Sequence, residues 1–367
     1  MQHLKSLARK IMENFSGTKR ATDAVEVSVN KQRRHPLSKY SAHYTDEDVS
    51  FFMQRGRFRP LALSVETVNI CNNDCIICPY SAQTRPRRTM PLALFEKVVS
   101  DYADIGGGHI SLTPLVGEAF LDKHLLERLR MLSKQKLISS VSVSTNATMA
   151  KRYDDDELSE ILSRLNRVVV SVYGINREEF MVLTRKDHYD QFYESLVRIV
   201  RLAPSGCVVL GIRHLADHSK EAIEEWAARV AKDAGVSGLP ILSIHREFAN
   251  WSYFDTTKPL PMGATWRPTP SNTAQCGVPL LGLEVMSDGR VSFCACANFD
   301  GADRLLVGDI TKSSFIEILD SKEFAELWDW EKCGVPEFCK TCSFHFPLDT
   351  MARLDSIYRN PLCYIGG

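Results

Sequence analysis

The 367-residue chain lacks a surplus of charge of either sign: 45 Lys and Arg balance 45 Asp and Glu, a formal net charge of +0. This removes the general electrostatic case for nucleic acid or a membrane surface as partner, since both call for a basic excess. Long apolar runs are also missing; none approaches the ~20 residues that span a bilayer. No signal-peptide core with a cleavage site is visible near Met1. A cytoplasmic protein with no membrane span and no nucleic-acid partner is therefore expected. Cysteine, by contrast, is plentiful at eleven residues. In a reducing compartment these read as metal ligands rather than disulfides, and the recurring C-x2-C spacing agrees. With 44% hydrophobic residues the chain can bury a full-sized core and carry a second, smaller domain.

The densest chemistry lies in NICNNDCIICPY, where Cys71, Cys75 and Cys78 form a C-x3-C-x2-C array. It follows an apolar run, Leu61, Leu63, Val65, Val68 and Ile70, that reads as a buried strand. Three thiolates so close in sequence can hold three corners of a cubane iron–sulfur cluster and leave one iron without a protein ligand. Ferredoxin clusters normally take four cysteines, so an array of three suggests an exogenous ligand on the last iron. A zinc knuckle is the competing reading, and with it a non-catalytic zinc or iron–sulfur binding module.

The array resembles the signature of the radical S-adenosylmethionine (radical SAM) superfamily. One position departs from it: Ile77 stands where that family often has an aromatic residue. The resemblance implies that the open iron chelates the amino and carboxylate groups of S-adenosylmethionine. One electron from the cluster then splits the sulfonium into methionine and a 5′-deoxyadenosyl radical, which takes hydrogen from the substrate. The electron must come from outside, from a donor such as flavodoxin or ferredoxin. The loop TRPRR after the motif, with Arg85, Arg87 and Arg88, reads most simply as solvated; the sharper reading is that it docks an acidic donor or an anionic substrate group.

From residue 61 onward, β-branched runs alternate with helical patterns, as in a parallel sheet with crossover helices. Strands are expected at 61–70, 109–115, 139–146, 167–173, 207–213 and 239–245, with helices near 91–104, 122–135, 155–164, 189–202 and 219–234. This α/β pattern of six units matches the partial (β/α)6 TIM-type barrel of the same family, in which chemistry sits at the C-terminal strand ends. By the resemblance, PLVGEAF is a variant of a glycine–glycine–glutamate motif, which makes Val116, Gly117 and Glu118 cofactor contacts. STNAT likewise offers Ser144, Thr145 and Asn146, and the fourth strand Ser171, with Gly174 permitting the turn after it. Arg213 needs a carboxylate partner or a place at the rim, and the cofactor's carboxylate would serve. His214 and His245 at strand ends are read first as structural and second as acid–base groups.

Residues 1–60 form an N-terminal extension: an amphipathic helix from Leu4, Leu7, Ala8, Ile11, Met12 and Phe15, then a polar, loosely ordered segment. The barrel is expected at 61–246, a linker at 247–275, a cysteine-rich domain at 276–346 and a tail at 347–367. In that domain Asp288-Gly289 reads as a hairpin turn. The order Cys276, Cys294, Cys339, Cys342 resembles the twitch/SPASM extension of radical SAM enzymes, which implies at least one auxiliary [4Fe–4S] cluster on those four. A second cluster drawing on Cys296, Cys333 and Cys363 is the minority reading, and a zinc ribbon the alternative. Cys207 reads as core. Cys296, two residues from a presumed ligand, is a possible hydrogen donor to a substrate radical, with a buried inert thiol the simpler reading.

The expected function is that of an oxidoreductase-type radical SAM enzyme acting on a small polar metabolite of sugar, aminoglycoside or nucleoside type. Oxidation, epimerisation and elimination all begin with the same hydrogen abstraction. Residues 1–60 are short for a peptide-recognition domain and lack its strand-rich pattern, and no cobalamin domain is evident, so modification of a ribosomally made peptide ranks second.

Overall fold

The alternating pattern resolves, in the computed structural model, into six parallel strands joined by amphipathic helices. Described are residues 53–54, 57–58, 60, 62–269, 272–295, 298–301 and 303–348. The expected N-terminal helix, the proposed hydrogen donor Cys296, and Cys363 lie outside them.

The barrel strands are β1 (Ala62–Val65), β2 (Gly108–Ser111), β3 (Ile138–Thr145), β4 (Arg167–Tyr173), β5 (Val208–Arg213) and β6 (Ile241–His245). Each pairs in parallel with the next in sequence. The apolar stretches of β1, β4 and β5 are largely buried on both faces, as a helix-covered parallel sheet requires, whereas β6 at the edge exposes Ile241 and Ile244. The crossovers are α1 (Leu92–Asp104), α2 (Leu125–Leu132), α3 (Asp155–Ser163), α4 (Arg177–Thr184), α5 (Tyr189–Leu202) and α6 (Lys220–Asp233). On α1 the buried residues Phe95, Val98, Val99 and Tyr102 recur at helical spacing and seal one face against the sheet. Asp154, Asn176 and Ser219 cap α3, α4 and α6 by accepting a backbone N–H three residues on.

Helix α4 is absent from the sequence-based expectation, and it is the one that holds the cysteine loop. Its last carbonyls accept from that loop: Leu183 O from Ile76 N at 2.9 Å and Thr184 O from Asp74 N at 3.2 Å. Its buried Glu179 accepts from the backbone of Leu215 (2.6 Å) and Ala216 (2.9 Å) after β5. Gly174 has φ +81, and a Cβ there would meet Glu179 at 2.6 Å, so the turn after β4 does require glycine.

The C-terminal region adds β7 (Gly282–Val285), β8 (Arg290–Ser292) and β9 (Leu306–Asp309). The 285–291 turn forms with Gly289 at φ +94, as the Asp-Gly pair predicts. Strand β7 pairs in parallel with β1, Gly282 beside Ala62 and Val285 beside Val65, so the extension prolongs the barrel sheet instead of standing apart. The resulting nine-stranded sheet runs β9-β8-β7-β1-β2-β3-β4-β5-β6 and is open between its two ends. No helix among the described residues is long and apolar enough to cross a membrane.

Candidate active site

The C-terminal ends of the barrel strands converge on a cavity of about 1240 Å³, counting the part open to solvent. Cys71, Cys75 and Cys78 line it, together with Gly117, Glu118, Ser144, Asn146, Ser171 and Arg213. Of the expected cofactor contacts, Val116 alone does not reach it; its side chain is buried with Tyr80 and Phe299.

The three thiols are unpaired by disulfides; Cys75 is buried and Cys71 and Cys78 are half-buried. Burial, then the Glu118 charge, pushes the Cys71 thiol up to about 12. Burial raises Cys78 to about 11 and lifts Cys75 well above the usual range, with the neighbouring thiols adding to it. Such a trio holds its protons until a cation arrives to replace them, which is the behaviour of a metal-binding thiol set. Donors for a sulfur anion are in place: the Asn73 N–H lies 3.4 Å from Cys71 Sγ and the Asn146 amide 3.9 Å from it. The Arg213 charge stabilises the thiolates of Cys75 and Cys78. Among the described residues, no three His, Cys, Asp or Glu side chains converge as ligands of a single ion; the three thiols instead line one cavity, with N–H donors and the Arg213 charge beside them. The residues therefore fit a cluster.

The Glu118 side chain has a structural task beside the backbone contact its motif implies. Its carboxylate is fully engaged, accepting from Phe120 N (3.0 Å), Asn146 N (2.7 Å) and the Thr145 hydroxyl. It brackets the turn after β2 to the end of β3, where Asn146 is held by Asn72 at 2.9 Å and Thr148 at 2.6 Å. A Cβ at Gly117 would meet Val68 O at 2.5 Å, so this turn can lie against the chain entering the cysteine loop only with glycine there. His214 is buried, its Nδ1 on Ala216 O at 2.8 Å, whereas His245 lines the cavity.

Within the TRPRR loop, Arg85 departs from the solvated reading. Arg85 is buried, forked onto Glu66 at 2.6 and 2.7 Å and donating to Phe299 O at 2.9 Å. Thr84, Pro86, Arg87 and Arg88 are exposed, Arg87 lying over the Tyr80 ring.

A second cavity of about 410 Å³ gathers Cys276, Cys294, Cys339 and Cys342. Burial raises Cys342 to about 12 and Cys276 and Cys339 further, each pushed by neighbouring cysteines of the same set. Cys333 is not part of this lining; its carbonyl accepts from Arg304. Cys207 is buried in the barrel core.

Within the stretch 247–275, expected as a linker, residues 247–269 join the two cysteine sites and wall the first. Trp251 Nε1 donates to Ile77 O at 3.1 Å, inside the cysteine loop. Asn250 clamps the loop that carries Cys342: its N–H donates to Ser343 Oγ (2.8 Å), its amide to Thr341 O (2.8 Å), and its Oδ1 accepts from Ser343 N (3.2 Å). Trp251 and Ser252 are held at φ +55 and +50, a strained region for residues with a side chain. Asn250→Ala leaves Thr341 O and Ser343 N without their side-chain partner and is expected to lower stability by about 1–3 kcal/mol. A fall in urea midpoint at unchanged slope, with iron lost first from the auxiliary site, is the readout; an unaltered midpoint rules the clamp out. No periodicity marks Asn250, Trp251 or Arg267, and proximity in the fold alone reveals them.

Residues 65–230 match the family model of the radical SAM superfamily, and residues 276–343 that of an iron–sulfur cluster-binding domain, SPASM. Over 143 residues the chain is 28% identical to a probable GTP 3′,8-cyclase of Methanothermobacter thermautotrophicus, covering 38% of this chain and 44% of that protein. The chain thus spans about half the length of the curated relatives it matches. Among solved structures, Streptococcus suis SuiB bound to S-adenosylmethionine superposes with TM-score 0.55 at 13% identity, over 99% of this chain and 86% of that one. The enzyme anSMEcpe with bound AdoMet gives 0.54 at 14% identity, over 82% and 98%. At these identities the likeness is one of fold.

Proposed function

We propose, on the premise that this chain belongs to the radical SAM superfamily and carries a C-terminal SPASM iron–sulfur domain, that it abstracts hydrogen from a small polar metabolite. The family fixes the cofactors: a [4Fe–4S] cluster with S-adenosylmethionine, and auxiliary [4Fe–4S] binding in the SPASM domain. When bound, the cluster and S-adenosylmethionine together supply a 5′-deoxyadenosyl radical.

The chain's residues divide the remaining work. Cys71, Cys75 and Cys78 hold the first cluster; Cys276, Cys294, Cys339 and Cys342 hold the auxiliary one. The backbone of Gly117 and Glu118, with Ser144, Asn146, Ser171 and Arg213, orients S-adenosylmethionine. Trp251, Phe248 and Phe344 screen the cavity from water. An external acidic donor such as a flavodoxin or ferredoxin supplies the electron, and the exposed Arg87 and Arg88 beside the cysteine loop favour it.

The observation that carries the substrate class is the cavity itself, whose walls beyond the cysteine loop mix hydroxyl, imidazole, guanidinium and carboxylate groups. The curated relatives are named for GTP, also a small polar molecule. A ribosomal peptide is the second reading, favoured by the open sheet edge at β6, where Ile241 and Ile244 are exposed. Anaerobically reconstituted protein with dithionite and S-adenosylmethionine, offered nucleotides, sugars and leader-bearing peptides, separates the two. Formation of 5′-deoxyadenosine stimulated about tenfold or more by a small polar compound is expected; stimulation by leader-bearing peptides alone sinks the proposal.

A further inference from the structure

The cavity holds more positive charge than its cofactor needs. Two guanidinium groups line it, Arg213 and Arg267. Of its two carboxylates, Glu118 is consumed by three donors and Glu247 is exposed. Arg213 belongs with the cysteines: its charge bears on Cys75 and Cys78, and Nη1 donates to Gly211 O at 3.2 Å. That suits it to the carboxylate of S-adenosylmethionine.

Arg267 arrives from outside the barrel. Residues Thr265 and Trp266 pair with Glu247 and Phe248, and Arg267 N donates to Phe248 O at 2.7 Å, which fixes its backbone beside the strand that follows β6. Its guanidinium lies 5.9 Å from the Phe344 ring, half-buried, and no described carboxylate is within ion-pair reach of it. His245, whose Nε2 is 2.8 Å from Ser243 Oγ, is held down to about 4 by burial and by the charges of Arg213 and Arg267, so it faces them as a neutral ring. A planar fork with no carboxylate partner among the described residues, in a partly dry, aromatic-walled cavity, is built for a planar or tetrahedral oxyanion.

We infer that Arg267 anchors an anionic group of the substrate, a carboxylate or a phosphate, in the part of the cavity bounded by Phe344 and His245. The inference rests on reading this cavity as the substrate site, and it turns the substrate class away from polycations such as aminoglycosides toward acidic sugars or phosphorylated metabolites.

Calorimetric titration of the full-length reconstituted protein, with S-adenosylmethionine present, tests it with two probes, inorganic pyrophosphate and succinate. Saturable binding of at least one is expected, weakened about tenfold or more in Arg267→Gln and kept nearer wild type in Arg267→Lys. Binding of pyrophosphate alone identifies a phosphate, of succinate alone a carboxylate. Equal binding by wild type and Arg267→Gln, or loss in the Lys variant as complete as in the Gln variant, overturns the assignment; so does the absence of saturable binding by wild type. Cleavage of S-adenosylmethionine by the same wild-type preparation keeps the two readings apart. Without cleavage the enzymatic reading fails whatever the anion does; with cleavage but no Arg267-dependent binding, only the anion site falls.

Discussion

Anaerobically reconstituted protein with Cys71, Cys75 and Cys78 all replaced by alanine is expected to lose about four irons per chain and to form 5′-deoxyadenosine only at the uncatalysed background. The reason is local. These thiols line the cavity, and burial, joined at Cys71 and Cys75 by repulsion from neighbouring thiols, disfavours their charged form until a cation takes them up. With the sulfurs gone, the Asn73 and Asn146 donors and the Arg213 charge have no anion to serve. The four cysteines of the second cavity form a separate set, so the variant should keep the iron that belongs there, about four more. Iron analysis with electron paramagnetic resonance, alongside chromatographic measurement of 5′-deoxyadenosine, reads both quantities. Wild-type cleavage in the triple variant would remove the site assignment altogether. Loss of all iron would mean instead that the two sites depend on each other for assembly, through the Asn250–Trp251 bridge.

What the sequence discloses and what it hides divide along a physical line. The central barrel strands stand out because a parallel strand buried on both faces needs a near-continuous β-branched run, as in RVVVSVY of β4. The cysteine array stands out because its ligands are neighbours in sequence. Helix α4 escapes because it spans only Arg177–Thr184 and is weakly amphipathic; its one signal is the cap, Asn176 with Glu179 three residues on. Glu118 is found by motif, but the work of its side chain is not, since nothing in PLVGEAF says that Thr145 and Asn146 will claim its carboxylate. The segment around Trp251 and Arg267 reads as a connection because its order comes from contacts with the cysteine loops, far away in sequence. The extension's attachment to β1 is likewise a tertiary fact: a hairpin can be foreseen from Asp288-Gly289, its parallel docking beside Ala62 cannot.

Arg85 is the sharpest case of a charge misjudged from sequence, and Arg85→Met is expected to cost about 3–5 kcal/mol of stability. Glu66, at the end of β1, is fully buried and takes both arms of the Arg85 guanidinium. It also accepts from Ser287 N (3.1 Å) and Ser287 Oγ (2.9 Å) in the β7–β8 turn, while Arg85 donates to Phe299 O. The pair thereby ties the first barrel strand, the loop after the cysteines and the C-terminal hairpin together. A second buried carboxyl, Glu284, sits close enough that the Glu66 charge helps raise it, and Arg85 offsets both. Removing the guanidinium leaves Glu66 without its counter-charge in a dry setting beside another acid, which costs far more than the loss of a solvated pair, at about 0–1 kcal/mol. The urea midpoint should fall with little change in slope. In Glu66→Gln/Arg85→Met the uncompensated charge is gone, so part of the loss should return, leaving a non-additive remainder in the double-mutant cycle. A deficit under about 1 kcal/mol for Arg85→Met, or a double variant no better than the single, would place Arg85 back among solvated loop residues and detach the hairpin from the strand that leads into the cysteines.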